Sequence, residues 1–310
     1  MRYVVGYSAN ARGRDAVNLA IALARRQNAS LELVLVVPDD SPYNVVHPPA
    51  AGYQSILTDQ AKLWLAEALT LIPADVPAQT HVRKGESEAS VLIAAAEEFG
   101  AGLLVIGAGS RGLFKRFTIG PVASTLLHAA TVPVALAPQG YGRTDPITRL
   151  TCGIGLRAGA QDVLDVAAAA AGRRKLPLRL VSLVALDGGT PDDVVALDGG
   201  GAPEAAKAPR EHADERLAAA VKDRVFHGVP VELAVAQGRS IEDAVDHLAW
   251  ADSEVLLIGS SRLARDNSLF LGSTANRILR SLPVPMIVVP RSYKSVAQRH
   301  GSIQSEEVNQ

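Results

Sequence analysis

The chain has 310 residues, enough for two domains of about 140 to 150 residues each, and 48% apolar against 4% aromatic content points to a core of Ala, Val, Leu and Ile. Basic residues (31) and acidic residues (32) balance to a net charge of -1, so no overall electrostatic drive towards nucleic acid or an anionic membrane is expected. The single cysteine, Cys152, excludes an intramolecular disulfide and a cysteine-rich zinc site. No apolar run nears the roughly 18 residues of a membrane span, and the N-terminus enters a strand-like run at Tyr3 rather than a signal peptide, so the expected compartment is the cytoplasm.

In chain order, Tyr3-Val4-Val5-Gly6 reads as a strand, followed by a turn and a helix carrying Asp15, Val17 and Leu19. A buried strand spans Leu31 to Val37. Residues 38–58, with Pro38, Pro42, Pro48 and Pro49, read as a long loop leading to an amphipathic helix. Strand His81 to Gly85, a helix, strand Leu103 to Gly107, a last helix and closing strand Val132 to Leu136 complete the first half. Turn-forming residues 139–143 mark the boundary. The second half repeats the series. Thr151 to Ile154 answers Tyr3 to Gly6, and Asp162 answers Asp15. Leu178 to Val184 lies 147 positions beyond Leu31 to Val37. After a glycine-rich loop over 187–210 come strands Leu233 to Gly238, Val255 to Gly259 and Val284 to Val289. Strands of five to seven residues alternating with helices read as right-handed βαβ units. The expected fold is α/β, two tandem doubly wound domains over 1–140 and 147–292, each a parallel sheet flanked by helices. A polar tail over 293–310 lacks periodicity and reads as disordered.

The chemically informative segment follows the fourth strand of each half. A strand ends in glycine, and a second glycine opens the last helix 13 positions later: Gly107 with Gly120, and Gly259 with Gly272. The first glycine lets backbone approach a phosphate with no Cβ in the way, and the second leaves free N–H groups at the positive end of a helix dipole. Glycine also serves as plain turn and cap chemistry, so the pairs alone leave both readings open. The order strand-Gly, two residues, Gly, nine residues, Gly-Ser/Thr, then a helix and a Pro-Val strand resembles the nucleotide motif of universal stress proteins, over about residues 2–138 and 149–290. The resemblance implies an adenine nucleotide alpha hydrolase-like fold with five parallel strands per domain, in a family where some members bind ATP with this loop and others do not.

Departures from that motif weaken the site. In the first half Gly107, Gly109 and Ser110 put a serine at the second motif glycine, and Gly120 is followed by Pro121 where the family has Ser or Thr. In the second, Gly259, Ser261 and Arg262 put arginine at the second glycine, although Gly272, Ser273 and Thr274 follow as expected. The family's ATP binders carry an Asp at the tip of the first strand, where this chain has Ser8 and Gly155. These motif residues form the candidate nucleotide or phosphate site. Arg111, Lys115, Arg116, Arg262 and Arg265 either meet phosphate oxygens or form a solvated loop face.

No metal-ligand spacing joins the seven histidines, and neither a G-x-S-x-G elbow nor a G-x-x-x-x-G-K-[ST] loop is present. The Gly6 to Gly13 stretch lacks dinucleotide spacing. Paired acids such as Asp39-Asp40, Glu97-Glu98 and Asp192-Asp193 read as solvated surface. The leading expectation is a non-enzymatic ligand-sensing or interaction module with no assigned cofactor or metal. The alternative is a binder of ATP with Mg²⁺, with at most slow hydrolysis. A third reading, a nucleotidyl-transferring enzyme, lacks a locatable acidic or lysine site. The family's closing strand pairs with its counterpart in a partner domain, so Val132 to Leu136 and Val284 to Val289 are expected to pair within the chain, with two such chains then forming a homodimer.

Overall fold

In the computed structural model, the structure describes residues 1–25, 27–39, 53–109, 119–155, 161–186, 207–222, 224, 226, 228–260, 269–291 and 293. The first half runs β1 (Arg2–Gly6), α1 (Ala11–Ala24), β2 (Ser30–Val37), α2 (Tyr53–Thr70), β3 (Ala78–Lys84), α3 (Glu88–Glu98), β4 (Leu103–Gly107), α4 (Pro121–Ala129) and β5 (Val134–Ala137). The second runs β6 (Arg149–Gly153), α5 (Gln161–Arg174), β7 (Leu178–Ala185), α6 (Lys207–Lys222), β8 (Val231–Gly238), α7 (Ile241–Asp246), β9 (Glu254–Gly259), α8 (Ser273–Ser281) and β10 (Met286–Val289).

Each half orders its five parallel strands with the first strand at the centre, and the two sheets fuse into one of ten strands, β3-β2-β1-β4-β5-β10-β9-β6-β7-β8. The join is antiparallel: Val134 faces Val288, Ala135 faces Ile287 and Leu136 faces Met286. Closing strands that would otherwise be open edges therefore cover each other within one chain, as the sequence led us to expect.

Strands such as Leu103–Gly107 are apolar runs because both faces of the sheet are covered. One core layer holds Tyr3, Val5, Leu19 and Leu23 together with Leu164 and Leu180. The other holds Val4, Leu104 and Leu126 together with Ile278 and Leu279. Both layers run across the join. Ala-rich α1 is buried continuously from Leu19 to Ala24, which small side chains make possible between close neighbours. Side-chain oxygens of Asn10, Ser87 and Ser240 cap α1, α3 and α7 by accepting backbone N–H groups.

The connection between the halves is strapped onto α1. Buried Asp15 accepts the Gly140 N–H at 2.9 Å, Asn18 donates to the Tyr141 carbonyl at 2.9 Å, and Arg25 donates to the Thr144 carbonyl at 2.7 Å.

Both stretches expected to be long loops end in helix, and 40–52 and 187–206 lie outside the described residues. Residues 53–58 already belong to α2, because no proline or glycine follows Gly52 until Pro73. Residues 207–210 belong to α6, whose Pro209 sits in the first turn, where its missing N–H has no intrahelical partner to lose. Tyr293, expected in the polar tail, is instead buried in the core; 294–310 lie outside the described residues.

Candidate functional site

In a parallel sheet the C-terminal ends of the strands and the N-termini of the following helices meet along one rim, where ligands of open α/β folds bind. On the rim of the first half, Asn10 closes the β1–α1 turn. Its Oδ1 accepts from Arg12 N at 3.0 Å and Gly13 N at 3.3 Å. Ser8, at the position of the family's Asp, donates its hydroxyl to the same oxygen at 3.1 Å. Ser8 is thus engaged in capping α1. The turn is tight enough that a Cβ on Gly13 would lie 2.8 Å from Ser8 N.

This turn leans on the end of β4. A Cβ on Gly107 would lie 2.8 Å from the Arg12 carbonyl carbon and 3.0 Å from its Cα, with the carbonyl oxygen closer still. The Arg12 guanidinium extends towards the start of α4, where its Nη1 is 4.0 Å from the Cβ position of Gly120. Gly120 caps α4 with no side-chain hydrogen bond, and Pro121 takes the first helical position. Arg12 therefore links the two motif glycines of this half. It also faces Glu88, at the head of α3. Burial pushes the Glu88 carboxyl above its usual range, and the Arg12 charge partly offsets that rise. Gly109 is buried beside β4; Ser110, Arg111, Lys115 and Arg116 lie outside the described residues.

The second rim is built differently. Gly259 ends β9, where a Cβ would make ordinary contact with Val163 Cγ1 at 3.4 Å. Ser260 accepts the Phe270 N–H at 2.7 Å and donates to the Phe270 carbonyl at 3.3 Å, clamping together the two ends of the motif loop. Leu269 and Leu271 are buried in the core layer shared by both halves, and the Phe270 ring meets His128 of α4 edge-on at 5.1 Å. Gly272 caps α8 without a side-chain bond, Ser273 and Thr274 open the helix, and Asn276 donates to the Gly272 carbonyl at 3.2 Å. At the tip of β6, a Cβ on Gly155 would meet nothing within 4 Å. Ser261, Arg262 and Arg265 lie outside the described residues.

In the first half Arg12 lies against Gly107 with its backbone and reaches towards Gly120 with its guanidinium; in the second the Ser260–Phe270 clamp joins the residue after Gly259 to the second residue before Gly272. Sequence reasoning missed Arg12 and Glu88. The available signal was an arginine directly before Gly13 in the first turn after β1, a stretch tested only for dinucleotide spacing. Among the described residues no three His, Cys, Asp or Glu side chains group as a metal site, and no helix is long and apolar enough to cross a membrane.

Two fused doubly wound domains with glycine-framed rims define a tandem α/β protein. Residues 1–138 and 146–290 each match the model of the Universal stress protein family, and the chain belongs to that family. A universal stress protein of Mycobacterium tuberculosis (strain H37Rv) is 32% identical over 299 residues, covering 94% of this chain and 100% of the relative, and one of Mycobacterium bovis matches equally. Among solved structures, a universal stress protein from Archaeoglobus fulgidus DSM 4304 has the same fold, with a TM-score of 0.64 and 17% identity over 94% of this chain and 98% of that one. A functionally unknown protein from Pseudomonas aeruginosa PAO1 has a TM-score of 0.55, at 18% identity over 94% and 92% of the two chains.

Proposed function

We propose that this chain is a non-enzymatic stress-response module of the cytoplasm, in which degenerate nucleotide rims have been turned to assembly and ligand sensing. The observation that carries this reading is the placement of the second motif loop. Its return limb, Leu269 to Leu271, is packed into the core shared by the two halves, and Ser260 ties its ends together. With Ser260 and Phe270 tied together, the backbone beside Gly259 and Gly272 is poorly placed to open around a triphosphate. The first rim supports the same reading, since Ser8 is engaged with Asn10, the Arg12 backbone lies against Gly107 and its guanidinium reaches towards Gly120.

Arg12 also favours a second reading. A guanidinium beside the uncapped positive end of α4 is electrostatically unfavourable by itself, and an anion between them would relieve it. The first half could then bind a phosphate-bearing nucleotide, with Arg12 supplying positive charge beside the N-terminus of α4.

Native mass spectrometry of untreated protein, followed by isothermal titration with ATP and Mg²⁺, decides between them. An empty protein without micromolar binding supports the assembly module. Copurified nucleotide, or binding that Arg12→Ala abolishes, makes the first half a nucleotide sensor.

A further inference from the structure

Among the described residues, one face of α2 is apolar and exposed. The helix seats Ala61, Leu65 and Ala68 on the core, yet Ile56, Leu63, Trp64 and Leu71 are 68%, 60%, 36% and 45% exposed. Leu71 continues the last turn, its N–H bonded to the Ala68 carbonyl at 3.1 Å. At about 100° per residue the four side chains fall within roughly 100° of the helix circumference, with Gln60 and Glu67 in the middle of the same stripe.

The second half serves as an internal control. Buried Ala61 and Leu65 correspond to buried Ala213 and Leu217 of α6, and the same shift carries Gln60, Leu63 and Trp64 onto His212, Glu215 and Arg216. His212 and Glu215 are exposed. The scaffold therefore tolerates a polar outer face here, and the apolar stripe of α2 has another use.

The stripe has the symmetry of a self-contact. Positions 56, 60, 63, 64, 67 and 71 are separated by steps of 4, 3, 1, 3 and 4, a palindrome. In an antiparallel helix pair with a two-fold axis between 63 and 64, each stripe residue meets another stripe residue. Ile56 packs on Leu71 of the second copy, Leu63 and Trp64 flank the axis and each meets its own symmetry mate, and the Gln60 amide donates to the Glu67 carboxylate. A two-fold contact must be self-complementary in this sense. A parallel pair would set Glu67 against Glu67, a like-charge contact. Docking on α6 would bury Glu215 and Arg216 against Leu63 and Trp64.

We propose that α2 is the interface through which two copies of this tandem chain associate, antiparallel and in the register 56 with 71 and 60 with 67, about an axis between 63 and 64. The contact is about 22 Å long. One helix pair of that length falls towards or below the roughly 1,200 Å² lower limit of stable specific interfaces, so a weak, concentration-dependent dimer is expected.

Sedimentation of the full chain from about 1 to about 200 µM, a range centred on micromolar affinity, should show a monomer–dimer equilibrium that Leu63→Glu weakens by tenfold or more with an unchanged melting temperature. Chains carrying Ile56→Cys and chains carrying Leu71→Cys, mixed and oxidised, should cross-link chiefly to each other, since Cys152 is fully buried. A parent chain monomeric throughout, a dimer that Leu63→Glu leaves intact, or a predominance of 56–56 and 71–71 cross-links would each overturn the proposal.

Discussion

Glu32 and Arg179 occupy the same position of the repeat, on the second strand of each half, and are both buried with opposite charge. Each half has assembled its own compensation. Glu32 accepts from His81 Nε2 at 2.8 Å, with Arg2 at 3.9 Å. Arg179 donates to Glu254 at 2.7 Å, to Thr151 Oγ1 at 3.2 Å and to the Ala249 carbonyl at 3.0 Å, and its guanidinium lies 5.0 Å from the centre of the Trp250 ring. Glu254 further accepts from Arg149 at 2.5 Å, from the Thr151 hydroxyl and from Ala251 N at 2.8 Å.

Removing Glu254 leaves Arg179 buried without its carboxylate. Glu254→Ala is expected to destabilise by about 3–5 kcal/mol, the usual penalty for one missing partner of a buried pair. Glu32→Gln keeps an acceptor for His81, whose side chain is partly exposed, and is expected to cost about 1 kcal/mol or less. Urea titrations of both variants measure the gap; equal losses would show that the two networks are not energetically distinct.

The motif glycines make a second contrast. Gly107→Ala forces a methyl into the Arg12 backbone, which moves only with the head of α1, so a loss of about 1–3 kcal/mol is expected. Gly259→Ala places its methyl at 3.4 Å from Val163 Cγ1 and should be close to neutral. Thermal melts of the two variants check this. A destabilising Gly259→Ala would mean that the second rim is as tightly closed as the first.

Those two glycines also mark what sequence can convey here. The duplication, the strands and the β5–β10 join were legible because buried parallel strands read as apolar runs and repeat at fixed spacing. Gly107 and Gly259 looked equivalent because a motif records residue type and spacing, whereas their difference lies in what packs against them: Arg12 backbone in one case and a Val163 side chain in the other. Arg12 and Glu88 meet across elements far apart in the chain, which no local pattern reports. Ile56 and Leu63 suited an amphipathic helix equally well, since periodicity does not distinguish a stripe facing the core from one facing outward.

Cys152 is fully buried on β6, and burial pushes its thiol up to about 12, with Arg224 acting weakly in the other direction. The thiolate is the reactive form, so native protein at pH 8 should give no reaction with a disulfide reagent over the time in which denatured protein reacts fully. Stoichiometric labelling of the native chain would show that β6 opens under native conditions.

The last prediction concerns pH. Arg277 of α8 grips Glu242 in the first turn of α7, with Nε at 3.1 Å from both carboxylate oxygens and Nη2 at 2.8 Å from one. These bonds, more than any other influence, hold the Glu242 carboxyl down at about 2 against an ordinary 4.5. A depressed carboxyl contributes stability that is fully present above the unfolded value and is lost as pH falls towards the folded one. The pair is about one-third exposed, so solvent screening limits its contribution to about 1 kcal/mol. The melting-temperature difference between the parent and Glu242→Gln should therefore hold steady from pH 7 down to about 5.5, then shrink through 4.5 and nearly vanish by about 2. A difference that persists unchanged at the acid end would assign the loss to packing between α7 and α8 rather than to the charge on Glu242.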